Sequence, residues 1–472
     1  VAPHDGFYID GDWRPPSRGD VLEVVNPATE QVVGTAPAGS AQDVDRAVRA
    51  ASASAAAWAN TEPTRRAEHL ARIRDGLAAR QEDLAHCVVA EMGSPLTFSR
   101  KVQVGLPVTV AASCVELLTG FEFEEKIGNS RVLHEPAGVV AAITPWNYPL
   151  HQIVAKVVPA LAAGCPVVLK PAENTPLVAQ LFAEIVHEAG LPPGVFNLVT
   201  GVGSVAGAAL AAHPGVDLVS FTGSTAVGRA IGRVAGERLK RVALELGGKS
   251  ATVVLSDADL ERAVRAGVGS AFANAGQTCS ACTRMLVPAD VHDEAVELAV
   301  LASARYRPGD PTDPATRLGP LVSARQRERV RGYLAEGPRC GARLAVGGAE
   351  PPDGHDLGYY VRPTIFADVP PDSPIAQEEI FGPVLSVIPY RDEDEALAIA
   401  NGTPYGLSGA VWSADEDRAV AFARRMQTGQ VDINGGAFNP LAPFGGYKDS
   451  GVGRELGRHG LVEFLQTKSL QF

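Results

Sequence analysis

A chain of 472 residues has room for two or three domains of roughly 150 residues each, with a large buried core. Its 46% hydrophobic and 20% charged residues, at a mean hydropathy of +0.03, exclude a disordered or fibrous protein. A net charge of -12 lacks the basic footprint of a general nucleic-acid binder.

The segment Val1 to Trp13 has Asp and Gly where a signal peptide needs a basic start and an apolar stretch, so secretion is not expected. The Ala-rich stretch Ala47 to Ala59 reads as helix. From Val139 onward, short β-branched runs alternate with helical patterns. The expected elements are strand Val139 to Ile143, helix Pro149 to Ala163, strand Pro166 to Leu169, helix Pro176 to Ala189 and strand Val195 to Val199. Strand Leu218 to Phe221, helix Ala226 to Leu239 and strand Arg241 to Leu246 follow. The most apolar region, Ile153 to Leu169, is broken by Lys156, Pro159 and Pro166; it reads as buried helix and strand rather than a membrane span.

A second alternating region starts with strand Thr252 to Leu255 and helix Leu260 to Ala275. It continues through helix Val291 to Tyr306, a Pro-rich loop and strands near Tyr359 to Phe366 and Val384 to Pro389. Phe464 to Phe472 alternates weakly, as a docking terminal strand would. The fold class is therefore α/β, with two successive parallel-sheet regions.

Parallel sheets bind ligands outside the carboxyl ends of their strands, which directs attention to those ends. They read Thr144-Pro-Trp-Asn147, Lys170-Pro-Ala-Glu173, Gly201-Val-Gly203, Thr222-Gly-Ser224 and Glu245-Leu-Gly-Gly248. Asn147, between two prolines, suits a fixed amide donor for an oxyanion, or equally a cap for the helix at Pro149. Glu245 is a general-base candidate or a glutamate paired with Lys249. Lys170 and Glu173 fit a dinucleotide's ribose and phosphate, or ordinary exposed charges. Gly201-Val-Gly203 and Gly223-Ser-Thr-Ala-Val-Gly228 look like phosphate loops without matching the standard fingerprint.

Six cysteines in so long a chain do not form a disulfide framework, and a reducing cytosolic setting fits them. Cys279 stands in polar company, with Gln277, Thr278 and Ser280, which favours a nucleophile over an inert core thiol. Cys279 and Cys282 form a lone C-x-x-C; with no second ligand pair at metal spacing, no metal is expected. Cys282 is either a buried neighbour or a partner for a reversible disulfide that shields the nucleophile.

Taken in order, Pro145-Trp-Asn-Tyr-Pro149, Lys170-Pro-Ala-Glu173, Phe221-Thr-Gly-Ser224, Leu244-Glu-Leu-Gly-Gly-Lys249, Gly276-Gln-Thr-Cys279, Glu378-Glu-Ile-Phe-Gly-Pro383 and Pro443-Phe-Gly-Gly-Tyr-Lys448 closely resemble the aldehyde dehydrogenase superfamily. The resemblance spans nearly the whole chain. It implies Cys279 as nucleophile, Glu245 as general base and Asn147 with the Cys279 N–H as the oxyanion hole. Glu455, in Gly453-Arg-Glu-Leu-Gly457, looks like a second carboxylate that assists proton transfer.

The resemblance further implies a Rossmann-like cofactor domain (1–113 and 137–247), an α/β catalytic domain (248–449) and a small β oligomerisation element (114–136 and 450–472). The oligomerisation element is expected as a strand pair near Cys114 to Pro136 together with the C-terminal strand. Ile143, Thr144, Pro145, Trp146, Lys170, Glu173, Gly203, Gly223 and Ser224 are the implied contacts for the adenosine and pyrophosphate of NAD. Leu246, Glu379 and Phe381 would hold its nicotinamide end. Glu173 suits NAD over NADP, since a carboxylate beside the ribose disfavours a 2′-phosphate; NADP use stays open.

The implied partners are a small-molecule aldehyde and further copies of the chain, as homodimer or homotetramer, with no nucleic acid and no membrane. Tyr148, His151, Gln152, Phe438 and Phe444 are the side chains expected to select the aldehyde. Two alternatives stand beside hydrolysis to the acid: an acylating enzyme that hands the thioester to coenzyme A, which usually lacks a base at the Glu245 position, and a non-catalytic relative of the fold.

Overall fold

The computed structural model describes residues 4–472. Two large sheets, a three-stranded sheet and two two-stranded sheets organise the described residues. The first sheet has eight strands in the order Asp12–Arg14, Phe7–Ile9, Phe196–Leu198, Val167–Lys170, Val140–Ile143, Leu218–Thr222, Arg241–Glu245 and Gly451–Val452. From Phe196–Leu198 to Arg241–Glu245 neighbouring strands are parallel, and antiparallel strands close both edges. The chain starts this parallel set in the middle, at Val140–Ile143, runs outward to one side, then returns to begin the other side at Leu218–Thr222. The crevice between those two strands is the topological switch point where such sheets take their ligand.

The strands are buried on both faces, as parallel sheets under helices require. The helix Pro149–Ala163 is buried at every position, which explains its apolar sequence without a membrane. Proline at its first turn fits because that N–H has no intrahelical partner. A π-containing helical run, Leu96–Gly120, is long and apolar enough to span a bilayer by length and composition. Its last segment, Gly105–Gly120, buries Val110, Ala111, Cys114 and Leu118 and packs on the helices Pro63–Ala79 and Pro149–Ala163.

The second sheet has seven strands in the order Arg343–Val346, Thr364–Ala367, Val384–Tyr390, Arg284–Pro288, Ala251–Val254, Gly409–Trp412 and Asp432–Ile433. All are parallel except the first. A third, antiparallel sheet joins Glu124–Ile127, Ser130–Pro136 and the C-terminal strand Leu465–Gln471.

Several expected boundaries move, each for a local reason. The first long helix starts at Ala41 rather than Ala47, because Ser40 and Asp43 form a capping box ahead of the alanines. The helix Leu260–Phe272 stops three residues before Ala275, where Asn274 and Ala275 both turn to positive φ. The strand expected from Tyr359 begins only at Thr364. Within the expected oligomerisation element, residues 114–120 are the end of a helix and the strand pair starts at Glu124. Gly451–Val452, expected in the same element, instead pairs with Leu244 and Glu245 at the edge of the first sheet.

Candidate active site

The strand ends converge on one cleft between the two large sheets. A cavity of about 370 Å³ is lined by Pro145, Trp146 and Asn147 from the first strand end, Glu173 from the second, and Gly223 and Ser224 from the fourth. Leu246 follows the fifth strand, and Cys279, Glu379 and Phe381 enter from the second sheet's loops. The expected cofactor contacts Ile143, Thr144, Lys170 and Gly203 lie outside this lining. Ile143 sits in register with Lys170 and Phe221 at the strand ends, and the Thr144 N–H donates to the Lys170 carbonyl at 3.1 Å. Gly203 opens a short π turn, Gly203–Gly207, on the side of Lys170 and Glu173.

Asn147 is not a helix cap: the helix starting at Pro149 has Tyr148 at its N-cap and no side-chain cap bond. Its side-chain amide, in a residue 4% exposed, donates instead to the Gln277 carbonyl at 3.0 Å. The Asn147 carbonyl accepts from Gln103 Nε2 at 3.0 Å and Asn274 Nδ2 at 2.9 Å, so the residue is fixed from both ends. Gln277 is held in turn, its Oε1 accepting from the Val322 N–H at 2.9 Å.

The loop that carries Cys279 is strained in a specific way. Asn274 and Ala275 have φ near 52° and 55°, the left-handed region that costs an ordinary residue roughly 1–2 kcal/mol. Gly276 follows at φ 71°, and a Cβ there would meet the Gly382 carbonyl oxygen at 2.0 Å, so only glycine fits. The tight path is fixed by the Asn147, Asn274 and Gln277 amides and delivers Cys279 to the cavity wall. Burial first, then the charges of Glu379, Glu245 and Glu455, push the Cys279 thiol up to about 12, against one Ser280 backbone donor.

Glu245 is not among the residues that line this cavity; it ends its strand in register with Thr222 and Gly451, 3% exposed, and its Oε2 is buried without a partner among the described residues. Burial raises its carboxyl well above the usual range, Glu455 adds to the rise, and Lys156 and Arg454 oppose it. No ion pair joins it to Lys249, whose Nζ is itself buried and unpartnered among the described residues. Burial and the nearby Arg284 lower that lysine to about 7. Glu455 is buried against Lys156, with Lys156 Nζ donating to Glu455 Oε1.

Elsewhere on the cavity wall, Glu379 Oε1 accepts from the Gly248 N–H at 3.1 Å, and burial lifts its carboxyl to about 7. Phe381 is held at φ 63° with its ring edge-on to Trp146, centroids 5.4 Å apart. Lys170 Nζ lies 3.7 Å from Glu173 Oε2. Ser224 caps the helix Thr225–Gly236 from the Val227 N–H. A dinucleotide fits this donor set: a helix N-terminus that suits phosphates, buried Thr144 and Thr222 hydroxyls without protein partners among the described residues, and the Glu173 and Glu379 carboxylates on the cavity wall. Cys282 is 3% exposed and is not among the residues that line the cavity, its thiol lying against the hydroxyls of Thr252 and Ser270.

The sequence reading missed Gln103, Asn274, Gln277 and Lys156 as supports, and Ser323, Gln326 and Arg329 as cavity walls. The wall residues follow a serine that caps the helix Ala324–Arg339, an N-terminal signal readable in the sequence.

A doubly wound sheet whose crevice opens on a cavity shared by a cysteine and a fixed amide has the architecture of a dinucleotide-linked oxidoreductase. The model of the aldehyde dehydrogenase family matches residues 13–470, and the chain belongs to that family. It is 49% identical over 470 residues to a 3-succinoylsemialdehyde-pyridine dehydrogenase of Pseudomonas sp, with 98% of each chain covered. Among solved structures, a cysteine-to-alanine variant of aldehyde dehydrogenase C from Pseudomonas syringae, with NAD+ and octanal, superposes with a TM-score of 0.98 at 48% identity. That match covers 99% of this chain and 96% of the other. A Mycobacterium tuberculosis aldehyde dehydrogenase with NAD+ gives 0.98 at 44%, covering 100% and 99%.

Proposed function

We propose that this chain oxidises an aldehyde to its carboxylic acid with NAD, through an acyl group carried on Cys279. The observation that carries the reading is the common cavity: Cys279, the amide-bearing Asn147 and the cofactor-end residues Glu379 and Phe381 line one space.

The Cys279 sulfur adds to the aldehyde carbon, and the oxygen gains charge beside the Asn147 amide and the Cys279 N–H. Bound NAD supplies the acceptor for the hydride that leaves this adduct, and a thioester remains on Cys279. Glu245 then takes a proton from water, which attacks the thioester and frees the acid. Glu455 stands behind Glu245 to receive that proton. A base in this position supports hydrolysis over transfer to coenzyme A.

Lys170, Glu173, Gly203, Gly223 and Ser224, with Ile143, Thr144, Pro145 and Trp146, would hold the adenosine and pyrophosphate. Leu246, Glu379 and Phe381 hold the nicotinamide end. Glu173 favours NAD over NADP by charge. The division into a cofactor domain, a catalytic domain and an association element follows the three sheets, with Gly451–Val452 moved to the first. The third sheet's strands Glu124–Ile127 and Leu465–Gln471 are almost wholly exposed, which suits association into a homodimer or homotetramer. All six cysteines carry free thiols, which suits the cytoplasm. Octanal in the P. syringae structure and the semialdehyde in the Pseudomonas relative's name put aldehydes on an aliphatic chain first among substrates.

The test is NADH formation, followed by absorbance, with octanal and shorter aldehydes. Activity that needs Cys279 supports the reading; aldehyde-independent or undetectable reduction of NAD overturns it.

A further inference from the structure

The first sheet has a second cavity at the other end of its strands. Gly138 and Pro166 sit just ahead of the strands Val140–Ile143 and Val167–Lys170, and both line a space of about 600 Å³. The cavity that holds Cys279 lies at the carboxyl ends of the same strands, so the two are separate. The start of the helix Pro63–Ala79 forms one wall of the second space, and the strand Ser130–Pro136 forms another.

Arg66, near the start of that helix, lines the cavity yet is only 3% exposed. Its Nε is buried without a hydrogen-bond partner, and no carboxylate forms an ion pair with its guanidinium among the described residues. Shape holds the group in place: its central carbon lies 5.1 Å from the centre of the Phe123 ring, and a Cβ at Gly164 would come within 2.3 Å of Nη1. An arginine is almost never buried without a partner, because a charge taken out of water has to be compensated. The cavity is where that compensation can enter.

Other groups around the space share the demand. The helix Pro63–Ala79 has Glu62 at its N-cap without a side-chain cap bond and no acidic residue in its first turn, so its N–H end still favours an anion. His134, from the strand wall, has its Nδ1 buried without a partner among the described residues. The acidic residues of the lining are engaged elsewhere: Glu135 pairs with Lys468, Glu124 lies 3.4 Å from Arg131, and Glu62 is exposed to water. Ala59, Phe123, Leu133, Ala163 and Pro166 make the rest of the lining apolar.

We infer that this cavity binds a small carboxylate with an apolar body, the carboxylate taken by Arg66 and the chain laid against Phe123, Leu133 and the alanines. A planar guanidinium meets a carboxylate with two parallel hydrogen bonds, which sets that group apart from an alcohol. The space has the size of a small-molecule pocket. One acidic side chain reaching in from a second copy of the chain would cover only its polar end. The ligand is of the class that the reaction proposed above releases, yet the site stands on its own residues and not on that reaction.

The test is hydrogen exchange of the full chain, read by peptide mass across a titration with octanoate. Octanoate should protect peptides from 55–66 and 133–138, and 1-octanol at the same concentrations should not. Arg66→Met, with circular dichroism unchanged, should raise the octanoate concentration for half protection roughly tenfold or more, the cost of losing a charged hydrogen-bond donor. Arg66→Lys, which keeps the charge without the fork, should raise it by a smaller factor, and it decides the matter if the methionine variant does not fold. Protection only near Cys279, equal protection by 1-octanol, or an unchanged midpoint in either folded variant overturns the site. So does a smaller oligomer of Arg66→Met by sedimentation with no octanoate protection in the natural protein, since the carboxylate then comes from a second copy. A failure to oxidise aldehydes leaves these readouts intact and counts only against the function proposed above.

Discussion

The Asn147 side-chain amide donates to the Gln277 carbonyl across 3.0 Å, two residues before Cys279. One strand end of the first sheet is thereby clamped to the nucleophile loop of the second. In the proposed reaction the same amide also donates to the reacting oxygen. Asn147→Ala is expected to lower kcat by about 10²–10³, the usual cost of one oxyanion donor, with a smaller change in KM. Steady-state kinetics with circular dichroism checks this; a fall of less than threefold in a folded variant excludes the role.

As the proposed base, Glu245 would act only when ionised. Burial and Glu455 raise its carboxyl, so the ionised fraction grows at higher pH than for an exposed glutamate. Hydrolysis should therefore speed up as pH climbs through that raised value and fade below it, while the first-turnover burst of NADH follows a different profile. Glu245→Gln should abolish the alkaline rise in kcat. A pH series of burst and steady-state rates on both proteins measures the difference.

The Cys279 thiol is held up near 12 by burial and then by Glu379 ahead of two further carboxylates. Glu379→Gln removes the largest of those charges and should speed alkylation of Cys279 by iodoacetamide at pH 8, while weakening NAD binding. Peptide mass mapping over time reads the first effect and equilibrium titration the second. Alkylation no faster than in the natural protein would separate the carboxylate from the thiol.

Lys156 is 0% exposed and bonded to Glu455, two buried charges whose partnership matters more than either alone. Lys156→Met leaves the carboxylate buried and unpaired, at a cost of about 3–5 kcal/mol, whereas Lys156→Met with Glu455→Leu should recover most of it. Urea unfolding midpoints of the two variants measure the difference. Equal midpoints would contradict the buried pair.

The part of this fold that the sequence exposes is the part written locally. β-branched runs and their polar ends mark the central strands from Val140 to Glu245, and the loop chemistry there places Asn147, Glu173, Ser224 and Cys279 on the cavity wall. What stays hidden depends on distant partners. Lys156 and Glu455 are 299 residues apart, and neither carries a motif that announces the other. Asn274 looks like ordinary helix in a continuous apolar pattern, and only its positive φ and its bond to Asn147 show a support. Gly451–Val452 resembles the start of the C-terminal element, yet its pairing with Leu244 and Glu245 fixes it to the first sheet. Cys282, three residues from Cys279, is buried outside the cavity lining, which spacing does not reveal.

The most direct test is intact mass of the Glu245→Gln protein mixed with octanal and NAD+. With hydrolysis blocked, the mass should rise by one octanoyl group, mapped to Cys279, alongside one NADH per chain. NADH formed without any acyl adduct, or an adduct on another residue, would contradict the central claim.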